Sequence, residues 1–208
     1  MKCIFGLASV PVRAGLLGFG SGALSCGLSQ SFIIVREQRT LDHIVWPGLV
    51  FALVVLFPVS RWAGDGWLRT VASLIASSAA YPIAWRIAVS GIGHPGPLMI
   101  AAFALAGFLG SAVLAGVFLF GRPRWVRAAG ATVVLGAVIG GLMGAHLLAT
   151  VTGVASPLSA GDGLGVFLVV WQTAVGVSLG RGVLHNPTRR WRQQERPATP
   201  GMPNLKPL

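Results

Sequence analysis

The chain has 208 residues, of which 54% are apolar and only 10% charged. A soluble globular domain carries about 25% charged residues, so this sequence cannot solvate an ordinary surface and reads as an integral membrane protein. Its formal charge of +11 would point to nucleic acid in a soluble chain, but the cations sit in short loops, at the ends of apolar runs and in the tail. That is a topology signal, and no nucleic-acid partner is expected.

A helix needs about 20 residues to cross a hydrocarbon core of ~30 Å, and six runs are read as such spans. The first, 14–35, is long enough but diluted by Ser21, Ser25, Ser29, Gln30 and Ser31. Lys2 and Arg13 ahead of it, and Ala23-Leu24-Ser25-Cys26 within it, resemble features of a secretory signal. The residue three places before Cys26 is Ala23 rather than Leu, however, and the basic leader is long, so the run is read as a retained span. The second, 44–60, is 17 residues long and dense in Val, Leu and Phe.

The third run, 67–91, carries Ala72, Ala76, Ala80, Ala84 and Ala88 at four-residue spacing. The fourth, 97–121, has Gly107, Ser111 and Ala115. In the fifth, 128–154, Gly136, Gly140 and Gly144 form a double GxxxG, and the sixth, 163–184, has Gly176 and Gly180. Lipid gives helices no hydrophobic reason to associate, so close backbone approach along small residues supplies the contact. Gly136, Gly140, Gly144, Gly176 and Gly180 are therefore assigned to helix packing, within the bundle or between copies. Pro47, Pro97 and Pro157 are read as first-turn residues, where the missing N–H would lack a partner anyway.

Residues 185–208 hold five prolines and the cluster Arg189, Arg190, Arg192 and Arg196. Such a segment cannot build a core and is expected to be a disordered tail. Its cations should attract anionic lipid headgroups, at about 1 kcal/mol per charge near the surface.

Six spans with the amino terminus inside place 13 cations on the inner side and 3, Arg36, Arg39 and Arg86, on the outer side. The positive-inside rule thus favours both termini in the cytoplasm. Trp46 and Trp85 then fall at the outer interface and Trp62, Trp67 and Trp125 at the inner one, as an aromatic belt requires. An Arg-rich, Ala- and Gly-rich composition fits a bacterial inner membrane.

The chemistry is sparse. Gly91-Ile92-Gly93-His94-Pro95-Gly96 matches the dinucleotide string GxGxxG, but no strand precedes it, and no acid occurs between Asp65 and Asp162. The five acids lie in loops, boundaries or the tail, away from any place for an intramembrane proton relay. Asp162 reads as a helix cap. Cys3 and Cys26 read as small hydrophobes. His146 is the one clearly intramembrane ionisable group. With Gln172 and Thr173 it makes a candidate intramembrane polar site. His43 and His94 share its side of the membrane, but nothing in their spacing gathers them on a metal. Ser21 lacks the glycine two places before it that intramembrane serine proteases carry.

The sequence therefore reads as an all-α, polytopic integral membrane protein, a bundle of about six transmembrane helices, with no catalytic residue, cofactor or metal assigned. Its function reads as that of a non-catalytic bundle component that packs with itself or a membrane partner. The alternative is a small channel or permease lined by His146, Gln172 and Thr173.

Overall fold

The computed structural model describes residues 2–35, 42–94, 96–120, 125–154 and 160–184, with side chains over 10–28, 46–94, 96–120, 126–154 and 165–183. Among these residues there are helices and turns and no strand. Helix α1 spans Lys2–Val35, α2 Asp42–Phe51, α3 Phe57–Ala63, α4 Trp67–Ile92, α5 Pro97–Leu119, α6 Trp125–Val151 and α7 Ala160–Leu184. A π-helical turn, Ala52–Leu56, joins α2 to α3 without a break, so the chain forms six rods. Each rod packs on the next in chain order, and α7 closes the ring onto α1.

The protein is an all-α membrane bundle. Five rods are long and apolar enough to cross a bilayer: Trp46–Ala63, α4, α5, most of α6 and the described core of α7. The sixth, α1, is the longest at 34 residues, but Gly and Ser lower its hydropathy. Of these, Gly15, Gly18, Ser21 and Ser25 are buried and Gly22 meets α7, while Val12, Leu16, Phe19 and Leu24 are exposed on the other side.

Proline placement departs from expectation at two points. Pro11 lies inside α1, and Pro47 lies inside α2, five residues after its start, rather than opening the helix. Pro97 does open α5, and Pro157 lies outside the described residues. The π turn has a local cause. Pro58 lacks an N–H, and its ring would clash with a carbonyl one turn back in a regular α-helix. Just before it the Phe57 N–H reaches five residues back to the Ala52 carbonyl, which widens the turn and keeps the rod continuous.

We call the end of the bundle that holds Lys2 and Leu184 the terminal end. There α3 stops at Gly64, whose φ of 74° is left-handed, and the Gly64 and Asp65 amides close onto the Arg61 and Ser60 carbonyls at 3.2 and 3.0 Å. This satisfies the last helical carbonyls. Arg69, in the first turn of α4, pairs with Asp65 at 3.8 Å and donates to the Phe120 carbonyl just past α5, tying the start of one rod to the end of the next.

The terminal half of the ring is filled. Phe51, Val55, Leu56 and Val59 from the second rod meet Leu114, Phe118 and Leu119 of α5 and Val175, Leu179 and Val183 of α7, with Val10 and Ala14 of α1 beside them. A smaller cluster, Ala88, Met99, Phe103, Ala106 and Met143, lies toward the opposite end.

Candidate functional site

Two close helix seams position everything else. Along α5–α6, a Cβ on Gly136 would strike the Gly107 carbonyl and the Ser111 side chain, and one on Gly140 would strike the Phe103 carbonyl. A Cβ on Gly144 would lie 2.8 Å from Ile100 Cα. The three glycines thus sit where two backbones of the same chain meet.

Along α1–α7 the helices run antiparallel. A Cβ on Gly180 would lie 2.9 Å from Pro11 Cα, one on Gly176 2.5 Å from the Ala14 carbonyl oxygen, and one on Gly22 2.5 Å from Val169 Cα. Further along, a Cβ on Gly165 would lie 2.6 Å from Cys26 Sγ. The α1 side of this seam, Ala14, Gly18, Gly22 and Cys26, repeats every four residues. Sequence reasoning passed over it, although the signal is the same spacing that singled out the fifth and sixth runs.

The candidate polar residues part company. Gln172 is fully buried against α1, where its Nε2 donates to Ser25 Oγ at 3.4 Å. Its Oε1 has no donor, and the buried Ser21 hydroxyl nearby in the seam is likewise without a partner. Thr173 turns back on its own helix and donates to the Val169 carbonyl at 2.6 Å. His146 is half-buried on α6, and the Thr150 hydroxyl donates to its carbonyl at 2.9 Å. His94 is exposed in the turn after α4, and the side chain of His43 lies outside the described residues. Among the described residues no three His, Cys, Asp or Glu side chains gather where a metal could bind. A further polar contact between rods joins Thr132 of α6 to Ser178 of α7, hydroxyl to hydroxyl at 2.7 Å.

An apolar cleft of about 650 Å³, part of it open to the exterior, lies among the second rod, α4, α5 and α7. Its walls are one face of α4 from Ser77 to Ala88 and one face of α5 from Phe103 to Leu114. Its floor is Phe51 and Trp171, whose rings are 5.9 Å apart and tilted by 46°. Ser77 is already bonded to the Gly48 carbonyl at 2.9 Å, which holds α2 to α4. The Trp171 indole N–H is buried without a partner. None of His146, Gln172 and Thr173 lines the cleft, so the three do not form one polar wall.

No family model matches this chain, and no curated protein and no solved structure matches it.

Proposed function

We propose that the protein is a non-catalytic component of the membrane that acts by packing with a membrane partner or a second copy, rather than by conducting a solute. One observation carries this reading: the terminal half of the ring is closed by hydrocarbon. Phe51, Val55, Leu56, Val59, Phe118, Leu119, Val175 and Leu179 are each at most 1% exposed. A polar solute crossing there would shed its hydration with nothing to replace it, at several kcal/mol per group. Gln172 faces α1, Thr173 bonds its own helix, and neither they nor His146 line the cleft. Both termini in the cytoplasm of a bacterial inner membrane, with the basic tail against anionic headgroups, complete the reading, and the cation asymmetry supports it.

The test is reconstitution. Vesicles containing the protein should pass protons, potassium and glycerol no faster than protein-free vesicles, while cross-linking in native membranes should yield a discrete larger species. Flux that disappears in His146→Ala would establish the channel instead.

A further inference from the structure

The cleft has a length, a depth and a chemistry that together specify what fills it. On α4 its lining runs over Ser77, Ala80, Tyr81, Ala84, Trp85 and Ala88, eleven residues from end to end, or about 16 Å at 1.5 Å per residue. Its α5 wall, from Phe103 to Leu114, has the same span. Half of a hydrocarbon core of ~30 Å is about 15 Å, so the cleft is as long as one leaflet is deep. Ala88 lies four residues before α4 ends at Ile92, and Trp171 is near the middle of α7. The cleft therefore begins about one turn below the end opposite the termini and reaches about the middle of α4 at Ser77, with Trp171 beside Gly110 and Ala84 partway along it.

Its size also decides between occupants. The 650 Å³ includes space open to the exterior; the part that the centre of a water-sized sphere can reach is about 50 Å³, which over ~16 Å is a channel only about 5 Å wide, against about 10 Å for a helix with its side chains. A single hydrocarbon chain is narrow enough to run the full length. The lining is Ala, Gly, Leu and aromatic carbon, with Trp85 in the half nearer the interface, where amphipathic rings meet lipid carbonyls.

We propose that the cleft binds one acyl chain of a bilayer lipid from the leaflet opposite the termini, the chain lying against Trp171 and the headgroup at the α4–α5 turn. Trp171 is 8% exposed and lines the cleft, so an acyl chain in the cleft lies against its ring.

The experiment uses the full chain in vesicles of phosphatidylcholine brominated in mid-chain, against the same lipid without bromine. Bromine quenches tryptophan on contact, and the Trp171 share of the emission is the wild-type signal less that of Trp171→Phe. The expected result is loss of most of that share in brominated lipid. Gly110→Leu should then restore it, because a Cβ there stands 3.5 Å from Ala84 and 3.7 Å from Trp171 and a larger side chain would occupy the floor. Ala106→Phe serves as the second filling variant should Gly110→Leu fail to fold. Unquenched Trp171 in brominated lipid would overturn the proposal. So would quenching that persists undiminished in folded filling variants, since bromine would then be arriving by another route.

Discussion

Gly140 is the residue on which the α5–α6 seam is most easily tested, because what it meets is a backbone carbonyl, that of Phe103, and not a side chain that could swing away. Gly140→Leu should lower stability by about 1–3 kcal/mol, the usual cost of overpacking. Gly130→Leu on the same helix, at an exposed site with nothing within 4 Å, should be neutral or gain up to ~1 kcal/mol from helix propensity. Thermal denaturation in detergent reads both, and equal midpoints for the two variants would mean that α5 and α6 are not in backbone contact. Spacing alone singles out Gly136, Gly140 and Gly144 as one face, but it cannot say which helix that face meets. The partner residues, Gly107 and Ser111, lie on another run, and only the ring order brings them opposite. Gln172 illustrates the converse. Its place in mid-span is plain in the sequence, yet its burial against Ser25, 147 residues earlier, is not. A long bond at 3.4 Å and an acceptor with no donor make it a costly side chain to bury, and replacing such a group by an apolar one of similar shape is often neutral or stabilising. Gln172→Met should raise the denaturation midpoint, by up to about 1 kcal/mol. A clear fall would show that the amide is fully bonded in the folded protein.

At the scale of elements, hydropathy and packing give different accounts of α1. Ser21 and Ser25 dilute the run as a sequence, but both are fully buried on the face that meets α7, and the residues left toward lipid are Val12, Leu16, Phe19 and Leu24. A hydropathy average cannot separate the two faces. The second rod hid its π turn for a similar reason: Pro58 disfavours a regular turn, but Pro11 and Pro47 sit inside α-helices, so the residue type alone does not say where a helix widens. Helix ends were easier to place, since Gly64 and Gly96 stand where turns must be. Gly96, just before Pro97, holds φ 128° and ψ −158°, a region closed to residues with a Cβ, whereas Gly64 is in the milder left-handed helical region. Both have open space around them, so any penalty comes from the backbone alone. Gly96→Ala should cost about 1–3 kcal/mol and Gly64→Ala roughly 1 kcal/mol, so the same denaturation series should rank Gly96→Ala as the less stable. The opposite order would show that the α4–α5 turn takes up another backbone when a side chain is present.

For the whole molecule, the number of rods is readable from the spacing of apolar runs, while their order around the ring comes from the packing of each rod on the next. The closed half and the cleft are not readable from that spacing either, because each is made by side chains from four rods meeting at one depth. Topology joins the two scales. Contacts along α1–α7 run from Pro11 with Gly180 to Cys26 with Gly165, fifteen residues of antiparallel helix or about 22 Å, so α1 lies alongside a span for most of the ~30 Å core. A helix lying flat on the membrane surface could not keep that register. Exposed Arg13, Arg61, Arg127 and Arg181 are all nearer the terminal end, with Arg86 exposed nearer the other, and cations of this kind mark the cytoplasmic side. A reporter active only outside the cytoplasm should therefore stay silent when fused before Lys2 or after Leu208, and should be active when inserted at His94 in the α4–α5 turn. Activity at the amino terminus with silence at the carboxyl terminus would mean that five rods span and α1 does not. Activity at both termini would reverse the orientation and leave the ring as it stands.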